Sequence, residues 1–131
     1  MPIRVNRLDH LVLTVASIEK TVAFYEHVLG MTAIRFGANN HRVALRFGDQ
    51  KINLHEAGKE FDPKAARPTP GSGDLCFIVD DFAEVEAHLA SCGVTIIDGP
   101  GPRSGAVGEI RSIYFRDPDD NLIEVSTYDG G

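Results

Sequence analysis

"LDHLVLTVASIEKTVAFYEHVLG", residues 8–30, carries two periodicities in one short run. Residues 8–15 are rich in strand-forming side chains, with His10, Val12 and Thr14 on one face and Leu11, Leu13 and Val15 on the other. Ser17 is a helix-capping residue, and Ile18, Val22, Tyr25 and Leu29 follow at helical spacing up to Gly30. The stretch predicts a strand, a capped helix and a glycine stop. The same order returns in "DLCFIV", residues 74–79, and in Asp81 with "FAEVEAHLASCG", where Phe82, Val85, Leu89 and Cys92 repeat the stripe before Gly93.

Each predicted helix is followed by three strand-like runs. "MTAIRF", "HRVALRF" and "KINLHE" come after the first, and "VTIID", "IRSIYFR" and "NLIEVSTY" after the second, separated by turn-forming stretches such as "GDQ" and "DPDD". Both halves therefore read βαβββ. Residues 57–73, rich in Pro, Gly and Lys, read as a connector between a module at 7–56 and a module at 74–128, and the whole of 1–131 reads as one domain. The fold class expected is α+β.

Composition narrows the partners. The chain has 131 residues, 43% hydrophobic and 24% charged, with a net charge of −6, so it suits one globular domain and argues against a nucleic-acid groove. Its apolar runs are too short to span a membrane, and "MPIRVNR" lacks the apolar core of a signal peptide. Cys76 and Cys92 cannot build a disulfide framework. The expectation is a cytoplasmic protein acting on a small molecule, with no nucleic acid or membrane partner.

Candidate site residues fall at repeating places. Glu124 in "NLIEV" shares a face with Leu122, and a buried carboxylate there needs a cation, a proton or a full set of hydrogen bonds. Aligning the halves sets Asp74 against His10, 64 residues apart, and Glu124 against His55, 69 residues apart. Four metal-competent side chains thus occupy two pairs of positions. His27, His41 and His88 read as surface residues, and Cys76 as a small core residue. In the expected loop "GPGPRSGAVGE", Arg103 and Ser104 fit a ligand loop whose guanidinium takes a carboxylate or phosphonate, and equally a solvated arginine.

"LDHLVLTVASIEKTVAFYEHVLGM", the paired modules and "YFRDPDDNLIEV" together resemble the vicinal oxygen chelate superfamily, over essentially the whole chain. The wording of "FGDQKINLHEAGKEFDPKAARPTPGS" is similar to glyoxalase-domain and lactoylglutathione-lyase-like members. The resemblance implies curled mixed sheets around a cup that holds one divalent metal per site, of Zn, Ni, Mn or Fe type. It implies His10, His55 and Glu124 as ligands and Glu124 as the catalytic base. Asp74 departs from the His usual at its place, and binds directly, binds through water, or orients a ligand. The activity implied is that of a glyoxalase-type lyase or isomerase on a substrate with vicinal oxygens, such as a thiol hemithioacetal. A two-His, one-carboxylate set also suits a ring-cleaving dioxygenase or a fosfomycin-type thiol transferase, and the modules also suit a sequestering protein like those of bleomycin resistance. Short members of this kind imply a homodimer.

Overall fold

The structure is a computed structural model that describes residues 2–128. Among these residues the chain divides into a first unit reaching Thr69 and a second beginning at Pro70. The first unit holds β1 (His10–Val15), α1 (Ile18–Leu29), β2 (Thr32–Phe36), β3 (Arg42–Phe47) and β4 (Gln50–Glu56). Its sheet runs β1-β4-β3-β2, with β1 parallel to β4 and the other pairs antiparallel. The second holds β5 (Asp74–Ile78), α2 (Val85–Ser91), β6 (Asp98–Gly105), β7 (Gly108–Arg116) and β8 (Leu122–Thr127), in the order β5-β8-β7-β6 with the same senses. The fold is α+β, two βαβββ modules in tandem, each with a four-stranded mixed sheet.

Local chemistry explains the elements. The Ser17 side chain accepts a hydrogen bond from the Lys20 amide at 3.2 Å, which satisfies one of the donors orphaned at the start of α1. Gly30 ends the helix at φ 67°, a left-handed value that a side chain disfavours. The helix buries Thr21, Tyr25 and Val28 and packs on β2, β3 and β4, whose inward residues include Val43, Leu45, Ile52 and Leu54. Burying each large apolar side chain of this kind contributes roughly 1.5–3 kcal/mol. In the second unit Ile113, Phe115, Ile123 and Val125 form the corresponding apolar layer. The opposite sheet faces are thereby left for polar side chains.

The register of β8 is locked by a turn. Asp117 accepts from the amides of Asp119 and Asn121, both at 2.9 Å, and from the Asn121 side chain at 2.8 Å. Asn121 in turn accepts from the Gly73 amide at 2.7 Å, and the Leu122 amide donates to the Gly73 carbonyl at 3.0 Å. The "DPDD" turn thus fixes β8 against the start of β5, and with it the position of Glu124.

Three expected elements differ. The strand expected at "VTIID" does not form, since residues 94–97 are irregular and β6 begins only at Asp98. The second helix begins at Val85, because the Asp81 carboxylate accepts from the Ala83 amide at 3.0 Å and closes a turn instead of capping a helix at Phe82. The expected loop after it is mostly strand. β6 runs Asp98–Gly105, with an irregular register between Asp98 and Gly101, and pairs Arg103 with Ile110 and Ser104 with Glu109. β6 is a sheet edge, where Pro102 removes no needed donor. Gly99 is required by close approach, since a Cβ there would collide with the Ser112 carbonyl.

Candidate functional site

In the first unit, the face opposite α1 presents His10, Val12 and Thr14 from β1 and Lys51, Asn53 and His55 from β4. His10 is half-exposed, and its Nδ1 donates to Asp9 at 2.8 Å. That bond fixes the ring and directs Nε2 away from Asp9, the arrangement by which carboxylates orient metal-binding imidazoles. The same contact holds the Asp9 carboxyl below its ordinary range.

His55 is set differently. It is only 3% exposed, and its Nε2 accepts from Arg42 Nη2 at 3.2 Å, with Phe61 edge-on to the ring. Burial, and then the Arg42 charge, push its pKa down, so the ring is neutral. Arg42 itself stacks between Phe36, 5.0 Å from the ring centre, and Phe61, at 4.8 Å. A nitrogen that already accepts from a guanidinium has no lone pair left for a cation, and the guanidinium repels one. The register also separates the two histidines: His55 lies level with Thr14, four residues beyond His10, or roughly 13 Å along the strands.

The strand pairings revise the alignment of the halves. His10 lies level with Lys51 and Asp74 with Leu122, so Glu124, two residues past Leu122, matches Asn53, two residues past Lys51. His55 matches Ser126. Asn53 is 5% exposed, and its side-chain oxygen has no hydrogen-bond partner among the described residues.

In the second unit, Asp74 and Cys76 of β5 and Glu124 of β8 share one face, with Cys76 directly across from Glu124. Glu124 Oε2 accepts from Ser112 Oγ at 2.6 Å and from Ser126 Oγ at 3.4 Å. Ser126 lies 2.7 Å from Ser112 and 3.3 Å from the Cys76 sulfur, so hydroxyls link thiol to carboxylate. Among the described residues no ion pair joins Glu124 to a cation. Cys76 is exposed as a residue, not core, yet partial desolvation of its sulfur, and then the Glu124 and Asp74 charges, push its pKa up against the lowering hydrogen bond from Ser126.

Arg103 and Ser104 sit on β6, not on a mobile loop. Arg103 donates to Tyr114 Oη at 3.2 Å, to Asp98 at 3.0 Å and to its neighbour's carbonyl at 2.7 Å. Those three bonds pin the guanidinium beside Tyr114. Burial, and the nearby Glu124 carboxylate, raise the Tyr114 pKa against the opposing pull of Arg103. Tyr114 lies directly across from Glu124, a neighbour that no motif in the chain signalled and that only the β7–β8 pairing reveals. His27, His41 and His88 are exposed.

Among the described residues, no three His, Cys, Asp or Glu side chains converge as a ready metal cluster within the chain. The donors nonetheless have ligand chemistry in each unit: an oriented imidazole in the first, and a hydroxyl-propped carboxylate with Asp74 beside it in the second.

The chain is 56% identical over 125 residues to a virulence protein, STM3117, of Salmonella typhimurium, covering 95% of this chain and 85% of that one. It is 54% identical to the glyoxalase domain-containing protein RDO1 of Mycosarcoma maydis, covering 95% and 69%. An integron cassette protein from the mobile metagenome of V. cholerae superposes with a TM-score of 0.94 at 57% identity, covering 98% of this chain and 99% of that one. Residues 7–125 match the model of one family, and by that match the chain belongs to the Glyoxalase/Bleomycin resistance protein/Dioxygenase superfamily.

Proposed function

We propose that the protein is a divalent-metal-dependent enzyme of glyoxalase type, a lyase or isomerase acting on a small molecule with vicinal oxygens, and that it works as a homodimer. The observation that carries the reading is Glu124: a half-buried carboxylate held in place by serine hydroxyls, with no cation paired to it among the described residues. Neutral donors order such a group without cancelling its charge, and a carboxylate with two acceptor oxygens keeps lone pairs free for a cation.

His10, Glu124 and Asp74 are the donors assigned to the ion, and their mix of imidazole and carboxylate suits Zn, Ni, Mn or Fe. When bound, such an ion supplies Lewis-acid polarisation of adjacent substrate oxygens. Asp9 holds the His10 ring in one orientation. Ser112 and Ser126 hold one oxygen of Glu124, which aims the carboxylate to take a proton from a substrate carbon. Tyr114 and the pinned Arg103 supply donors beside it for a substrate oxygen, and Ser104 is assigned to the same substrate contact from β6. His55 is assigned to orienting Arg42 instead of binding the ion.

Elemental analysis of protein purified without chelator tests the reading. We expect one divalent ion per site in the native protein and in His55→Ala, and loss of the ion in His10→Ala and Glu124→Ala with the fold intact. No stoichiometric metal, together with no rise in Tm on adding any of the four ions, overturns it.

A further inference from the structure

The face of the first sheet opposite α1 carries Arg42, Arg46 and Lys51 beside His10 and His55, and β1 to β4 place no Asp or Glu on it. This is unexpected in a chain of net charge −6. Arg46 and Lys51 are direct cross-strand partners. Like charges directly opposite each other destabilise a sheet unless something of opposite sign sits between them. Neither forms an ion pair among the described residues.

Both side chains line a cleft of about 390 Å³, together with Asp9, Ile34, Asp49 and Gln50. That volume lies within the range of small-molecule sites. Its two acids leave the cations without direct contact: the Asp9 carboxylate feels the Lys51 charge but gives its hydrogen bond to His10, and Asp49, at the β3–β4 turn, forms no ion pair among the described residues. The Gln50 amide donates to the Leu8 carbonyl at 3.0 Å and so ties the approach to β1 against that turn. The Lys51 ammonium rests 3.8 Å from the centre of the Phe36 ring, which limits where it can point. Arg42 is already committed to His55 and two rings, leaving Arg46 and Lys51 as the cations available to a ligand.

We infer that this cleft is a subsite for an oxyanion, a carboxylate or a phosphate, on a small ligand whose apolar part rests on Ile34. Arg46 offers a planar fork of donors and Lys51 a point charge, a pairing suited to either oxyanion. Lys51 lies level with His10, so the anionic end is held one strand from a residue assigned to the ion. That the ligand is the substrate rests on the proposed function; the existence of the subsite does not.

Metal-free protein at low ionic strength, titrated separately with propionate and with inorganic phosphate and followed by NMR, tests the inference. Saturable shifts are expected at Ile34, Arg46, Asp49 and Lys51 with at least one of the two anions, and which anion gives the tighter binding identifies the ligand's group. Arg46→Gln and Lys51→Gln should each weaken binding about tenfold, and Lys51→Arg should retain it. Unchanged shifts elsewhere establish that the variants fold. Shifts that do not saturate with either anion, or affinity unchanged in both Gln variants, overturn the subsite. Metal content is measured in parallel: metal without anion binding defeats this inference alone, and anion binding without metal defeats only the proposed function.

Discussion

The two units share one topology and oppose each other in charge. Each has a parallel pair at one edge continued by two antiparallel strands; α1 packs on the first sheet, and α2 buries Leu89. On the other face the first unit carries cations and a neutral amide, Asn53, where the second carries Glu124. The first holds a neutral histidine against arginine, and at the matching place the second has Ser126, which props the carboxylate. A repeated scaffold therefore preserved positions while the side chains diverged toward opposite ligands. On the reading proposed above, the carboxylates of the second unit and His10 of the first serve a cation, while Arg46 and Lys51 of the first serve an anion.

The hardest test of that contrast exchanges the roles of Glu124 and Asn53. Glu124→Gln should abolish metal binding and lower activity about a hundredfold or more, since it removes both a donor and a base while keeping shape. Asn53→Leu should leave metal content unchanged and hold or raise Tm, because an unpartnered buried oxygen costs about 1–3 kcal/mol. Loss of metal in Asn53→Leu would show the two positions to be functionally alike.

A second test asks how the specialised units cooperate. If the proposed homodimer shares its sites between chains, mixing the inactive variants His10→Ala and Glu124→Ala should restore up to about half the activity of the mixed species, because both lesions fall in one site and the other is intact. Light scattering that reports a monomer, with no recovery after exchange, would refute the sharing.

The smallest effect expected concerns pH. His55 has its folded pKa lowered, chiefly by burial and then by Arg42, outweighing the opposite pull of Glu60. Below the unfolded value of about 6.5 the unfolded chain takes up a proton that the folded one refuses. The stability this group contributes is complete above about 6.5 and is lost as pH falls from there toward the folded pKa. Thermal melts between pH 7.5 and 5 should show a shallower decline for His55→Gln, which still offers Arg42 an acceptor, than for the native chain. Identical slopes would mean that the ring takes up its proton as readily in the folded state as in the unfolded one.

Much of this protein was legible in its residues alone. Helical spacing after Ser17, strand-type runs, turn residues and the half-chain repeat depend on near neighbours in sequence, so they specified the α+β class and the doubled module. The faces of β1 and β8 followed from alternation, and Ile123 and Val125 are fully buried as the period requires. Other features depend on pairing between distant strands, which no local pattern encodes. Glu124 corresponds to Asn53 and not to His55 because hydrogen bonds between β1 and β4, and between β5 and β8, set the register. Arg103 lies on a strand because β7 supplies partners to an edge segment whose Gly and Pro content suggests a loop. Cys76 is exposed because its face of β5 is the polar one shared with Glu124. Composition and spacing determined which groups the chain owns and which elements carry them; only the tertiary pairing decided which of those groups stand level with one another, because register is a property of two strands and is written in neither one.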